Sequence, residues 1–170
     1  MNKGIVVVIT FIIGSILGYL IGFIIGYEKE RKIKNTEIEL LSKKVNKFKC
    51  YYNTLNEWMI QKNNNMKLEE YFIRMGYQTI AIYGWGELGK RLYEDIKHSS
   101  INVKYVIDRA IGVINSEPII LDSTMDLTEV DAIIVSAIYE FDEIAIELKD
   151  NTKSPIISLE VIIFSIGSNI

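Results

Sequence analysis

The chain has 170 residues, 49% apolar and 24% charged, with a net charge of −3. A single cysteine (Cys50) excludes an intramolecular disulfide. A single histidine (His98) argues against a zinc centre, which needs several soft ligands, so no metal is expected. The charge is uneven: residues 28–62 hold nine Lys/Arg against five Asp/Glu, and residues 67–170 hold nine against seventeen. An acidic C-terminal region disfavours nucleic acid as a partner.

Gly4–Tyr27 is a run of 24 residues without a charge, long enough to cross a bilayer core of about 30 Å. It lacks the short apolar region and small-residue cleavage site of a secretory signal. Lys3 and the α-amino group precede it, whereas Lys29, Arg31, Lys32 and Lys34 follow closely. That asymmetry predicts a single-pass anchor in the cell membrane with the C-terminal part in the cytoplasm, and the basic flank favours anionic lipid. Thr10, Gly14, Gly18, Gly22 and Gly26 recur every fourth residue. The stripe predicts close helix–helix contact, with a second copy or with a partner membrane protein.

Ile38, Leu41, Val45, Phe48, Tyr52, Leu55 and Met59 then follow a 3-4-3-4-3-4 spacing, the seam of a coiled coil. An amphipathic helix lying on its own C-terminal domain accounts for the pattern equally well. Either way Glu28 to about Ile60 is predicted helical, ending in the polar run Gln61–Asn65. Lys67–Met75 reads as a short helix with Gly76 as its stop.

Thr79–Tyr83 is a β-branched, apolar strand followed at once by Gly84-Trp85-Gly86-Glu87-Leu88-Gly89. Leu88, Leu92 and Ile96 then repeat at helical spacing. A second strand, Val103–Ile107, ends in Asp108, nineteen residues beyond Gly89. Strand, G-x-G-x-x-G turn, helix and terminal acid form a βαβ dinucleotide fingerprint. Gly84 permits the tight exit from the strand, Gly86 lets a diphosphate approach the backbone, and Gly89 brings the helix close to the strands. The amides of the first helical turn would face the phosphates. Asp108 could accept from the adenosine ribose hydroxyls, favouring NAD, whereas Arg109 could pair with a 2′-phosphate and admit NADP. Trp85 could stack on a base or block the site, and Glu87 places a negative charge at the helix start.

Only ten residues, Arg109–Pro118, separate the second strand from Ile119–Leu121. Further strands are predicted at Ala132–Val135 and Ile156–Leu159, the latter with Glu160 at its end. Glu140–Lys149 is predicted helical. Right-handed crossovers give strand order 3-2-1-4-5. The segment Ser136–Phe141, with Ala137 near its start, would then form the second wall of any pocket. The expected architecture is α/β: a small Rossmann-like parallel sheet (66–170), preceded by a transmembrane anchor (1–27) and a helical stalk (28–65).

The runs Leu55–Trp58, Leu68–Phe72, Ile80–Gly84, Glu87–Gly89, Arg91–Tyr93 and Tyr105–Asp108 resemble a small Rossmann-like domain associated with bacterial capsule and exopolysaccharide biosynthesis proteins. That domain is similar to the nucleotide-binding regions of membrane-anchored nucleoside-diphosphate-sugar enzymes. The resemblance covers residues 50–165. It implies NAD(P) or a nucleotide sugar as ligand, beside membrane glycan assembly. The glycine turn also resembles nucleotide-sensing domains that regulate potassium transport.

No catalytic constellation accompanies this turn. The one Tyr-x-x-x-Lys match, Tyr93–Lys97, falls on the first helix, away from the strand ends, and Tyr139 is followed by Glu143 rather than lysine. Cys50 has no histidine nearby, and His98 suits a helix C-terminus. The leading expectation is a membrane-tethered nucleotide-binding module acting as a sensor or accessory. The alternatives are a ligand-free scaffold and a small NAD(P)-dependent oxidoreductase with no catalytic residue assigned.

Overall fold

The computed structural model describes residues 3–109, 117–122 and 127–167. The chain divides into two compact units, Met1–Asn46 and Lys47–Ile170. In chain order the elements are α1 (Lys3–Asn63), α2 (Leu68–Met75), β1 (Thr79–Tyr83), α3 (Glu87–Ile96), β2 (Asn102–Ile107) and β3 (Ile120–Leu121). They continue with β4 (Ala132–Val135), a 3-10 turn (Ile138–Glu140), α4 (Phe141–Lys149), β5 (Ile156–Ser158) and α5 (Leu159–Gly167).

The first unit is the N-terminal part of α1. It contains a stretch long and apolar enough to cross a membrane, judged by length and composition. Its large apolar side chains, among them Phe11, Leu17 and Phe23, are exposed. Ser15 turns its hydroxyl inward, donating to the Phe11 carbonyl at 2.9 Å. A Cβ placed on Gly14, Gly18, Gly22 or Gly26 would meet nothing within 4 Å. The side chain of Thr10, the first position of that stripe, lies outside the described residues.

The second unit is built on a five-stranded, all-parallel sheet of order β3-β2-β1-β4-β5. A parallel sheet is covered on both faces, so its strands read as continuous apolar runs. Ile80, Ile82, Val106 and Ile134 face one layer with α2, α3 and α5. Ala81, Tyr83, Ile107, Ile133 and Val135 face the other, with Ile144 and Leu148 of α4. Asp131 fixes the amino ends of the sheet, accepting from the backbone N–H groups of Gln78 (2.8 Å) and Thr79 (2.7 Å). These bonds, that of Thr79 first, hold its carboxyl below the usual range. The connection predicted at Arg109–Pro118 lies largely outside the described residues.

The last turns of α1 belong to this unit. Trp58 is buried in the core with Phe72 and Leu92, and its indole N–H donates to Asp95 at 3.0 Å. Thr54 and Gln61 are buried on the same face, and Lys47 and Lys62 pair with Glu140 and Asp95. Over Lys47–Asn63 the helix therefore lies on its own domain, through its Trp58 face rather than through most of the heptad positions. Helix α2 ends in a left-handed Gly76 (φ +76°), with Tyr77 N–H donating to the Phe72 carbonyl at 2.9 Å. This is a Schellman stop that only a residue tolerant of positive φ closes cheaply.

One element differs from expectation. The fifth strand stops at Ser158, and Leu159–Gly167 forms helix α5, so Glu160 lies in its first turn rather than at a strand end. The run Val161-Ile162-Ile163-Phe164 favours strand by composition. Burial of Leu159, Ile162 and Ile163 at helical spacing, with Val161 and Phe164 exposed, overrides that preference.

Removing Trp58 from this core leaves a void of the kind that costs about 3–5 kcal/mol. A fragment beginning at Lys47 is therefore expected to melt in one cooperative transition, and one beginning at Met66 to lose it. Equal melting temperatures for the two fragments would contradict this packing.

Candidate functional site

The strand order reverses between β1 and β4, where the crevice of an open parallel sheet forms beyond the strands' carboxyl ends. The backbone leaves β1 through Gly84, whose φ of +94° is strained for any side chain. Gly84 N–H extends the ladder to the Ile107 carbonyl at 2.8 Å. Two residues later Gly86, in extended backbone, is the N-cap of α3 and, having no side chain, supplies no cap bond of its own. Lys90 N–H closes the first helical bond on the Gly86 carbonyl at 3.0 Å. The amides of Glu87, Leu88 and Gly89 precede that bond, so no carbonyl of the helix can accept from them.

The three glycines do different work. A Cβ on Gly89 would stand 2.0 Å from the Gly84 carbonyl oxygen, so α3 rests directly on the strand exit. A Cβ on Gly84 would meet the Ser136 hydroxyl at 2.9 Å. A Cβ on Gly86 would meet nothing within 4 Å. Gly84 and Gly89 are thus required by packing, whereas Gly86 faces open space.

Asp108 stands at the end of β2. Its carboxylate accepts from the backbone N–H of Trp85 at 2.6 Å, a charge-assisted bond that ties the glycine loop to the neighbouring strand. The sequence suggests a ribose contact for this acid; the contact the structure records is the loop-holding one. Trp85 is half-buried, its indole edge-on to Tyr93 with centroids 5.6 Å apart and packed against the core. Glu87 is outward, its side chain 78% exposed and paired with Arg91 at 3.8 Å. Leu88 is buried beneath the turn. Arg109 reaches Glu147 of α4 at 3.2 Å.

Ser136 was not singled out by the sequence. It is buried at the end of β4, its N–H donating to the Tyr83 carbonyl at 2.9 Å and its hydroxyl placed 3.1 and 2.9 Å from the Tyr83 and Gly84 carbonyls. A small hydroxyl residue directly after a buried strand was the available signal. Ala137 follows it, half-buried, and leads into the 3-10 turn. The turn, Asp108 and Ala137 are therefore brought to one edge of the sheet, with Arg109 turned toward α4.

Burial pushes the Tyr83 hydroxyl above its ordinary value. Cys50, 3.6 Å from a Glu160 carboxylate oxygen, is pushed up to about 11, by burial first and then by that carboxylate. A thiol so placed stays protonated and is a poor nucleophile at neutral pH. Lys97, the end of the Tyr-x-x-x-Lys match, pairs with Glu94. Among the described residues no cluster of His, Cys, Asp and Glu could hold a metal ion. The arrangement leaves the first amides of α3 without an acceptor within the helix. Compared with protein-family models, with curated proteins and with solved structures, the chain matches none.

The division of labour among the glycines is testable by melting. Gly89→Ala is expected to destabilise by about 1–3 kcal/mol through overpacking. Gly86→Ala is expected to cost less than about 1 kcal/mol, the difference between glycine and alanine at an N-cap. Equal losses in the two variants would contradict the geometry.

Proposed function

We propose that the second unit is a Rossmann-like module that binds a nucleotide, either NAD(P) or a nucleotide sugar, with the diphosphate at the first turn of α3. The observation that carries the reading is the sterically open Gly86, the N-cap of α3, at the point where the strand order reverses. Helix-start amides with their dipole are suited to a diphosphate. In this reading Asp108 holds the loop and offers its carboxylate to the ribose. The apolar helix anchors the chain in a cell membrane as a single pass, with the module in the cytoplasm, in keeping with Lys29, Arg31, Lys32 and Lys34 after the span. The stripe Gly14, Gly18, Gly22 and Gly26 supports contact with another helix in the bilayer. The resemblance to capsule and exopolysaccharide proteins favours a sensor or accessory role in cell-surface polysaccharide assembly.

A second reading, a ligand-free scaffold, is favoured by a specific observation. Gly84 and Gly89 are explained by packing alone, and Asp108 already takes the Trp85 N–H. Gly86 separates the two readings.

Calorimetric titration of the full-length chain in nanodiscs with NAD, NADP and a UDP-sugar tests them. Heat is expected with one class of ligand, and Gly86→Leu is expected to weaken that binding at least about tenfold, or about 1.4 kcal/mol, with melting little changed. Asp108→Asn is expected to reduce NAD binding relative to NADP if NAD is the ligand. Absence of heat with all three ligands would leave the scaffold reading.

A further inference from the structure

Most of the apolar heptad of α1 lies off the face that the helix lays on its own domain; Leu55 alone of its seven positions packs against that core. In the first unit Ile38, Leu41 and Val45 are exposed. In the second, the face turned to the core carries Tyr51, Thr54, Trp58 and Gln61, while Phe48, Tyr52 and Met59 are exposed. These six heptad positions are between 53% and 74% exposed; the seventh, Leu55, is half-buried. Within Lys47–Asn63 the internal packing thus covers the Trp58 face and leaves Phe48, Tyr52 and Met59 exposed. We propose that the heptad stripe pairs with the same stripe of a second copy, as a short parallel coiled coil.

Three observations favour that occupant. The spacing of 3.5 residues is the period at which one helix follows another in a left-handed supercoil, and a second copy supplies a matching period. The area suffices. Six exposed apolar side chains per copy, each removing on the order of 100 Å² from water, reach the lower end of the roughly 1,200–2,000 Å² of a specific interface. The stripe also runs into an open groove of about 350 Å³, where Leu55 and Met59 meet Lys90, Arg91 and Glu94 of α3. A helix lying along the stripe would fill that groove.

The flanking charges set the strength. With Ile38 at the first heptad position, Lys44 and Lys49 occupy the two positions beside the stripe that face each other across a parallel pair. Their repulsion weakens pairing in dilute solution and is screened by salt. Tethering both copies in one bilayer, which is the membrane reading above, raises their effective concentration and starts both stripes at the same height. The pairing does not depend on nucleotide binding.

Disulfide trapping in the full-length chain in membranes tests this. Cys50 is first replaced by serine, because it is the single native cysteine. In a parallel pair Leu41→Cys, Phe48→Cys and Leu55→Cys each bring two thiols together. Asn53→Cys, exposed on the outer side of the helix, does not. The expected result is a disulfide-linked species of twice the 19.5 kDa chain mass, about tenfold more abundant at Phe48→Cys than at Asn53→Cys. It should rise with salt and disappear when Val45→Asp and Tyr52→Asp are added. The three positions are independent, so one misfolded variant does not decide the outcome. No linked dimer at any of them, equal linkage at Asn53→Cys, or an adduct of another mass would overturn the proposal.

Discussion

The close approach of α3 to the end of β1 governs the carboxyl edge of the sheet. The 2.0 Å between a hypothetical Gly89 Cβ and the Gly84 carbonyl oxygen leaves no room for any side chain. That approach fixes where the first helical turn begins and requires Gly84 to leave the strand with positive φ. The Tyr83 carbonyl then accepts from the Ser136 N–H, and the Gly84 carbonyl from the Ser136 hydroxyl. Asp108 secures the other side through Trp85 N–H. Two neighbouring strands therefore hold a turn whose outer corner, Gly86, stays uncovered. A buried backbone polar group left without a partner costs about 1–3 kcal/mol. The Ser136 and Asp108 contacts are part of what makes the turn stable, independently of any ligand.

The same economy appears in α1. Trp58 contributes a large buried surface to a domain with few residues to spare, and its indole N–H is satisfied by Asp95. Lys47 and Lys62, at opposite ends of the packed segment, pair with acids of the domain. These ion pairs are partly exposed, so they set the helix's position more than they stabilise it. Apolar burial on the Trp58 face is the main stabilising term.

Much of the fold was legible because buried parallel strands announce themselves. Thr79–Tyr83 and Ala132–Val135 are short apolar runs bounded by turn residues, and their limits coincide with the observed strands. The strand order followed from crossover handedness. Helix α5 was not legible, because Val161–Phe164 has strand composition and only contacts with distant elements make it helical. Within the site, the tasks of Gly84 and Gly89 could be read from their spacing. The bond from Trp85 N–H to Asp108 could not, since it depends on two strands meeting in register. Ser136 was missed for the same reason: its partners lie more than fifty residues away.

Backbone amide resonances report most directly on the proposed anion site at the first turn of α3. In the fragment Lys47–Ile170, labelled with nitrogen-15 and titrated with whichever of NAD, NADP or a UDP-sugar gives heat, the amides of Gly86, Glu87, Leu88 and Gly89 should shift together and saturate. The amides of α4 should stay still. Saturable shifts confined to other elements, or none at millimolar ligand, would contradict the account.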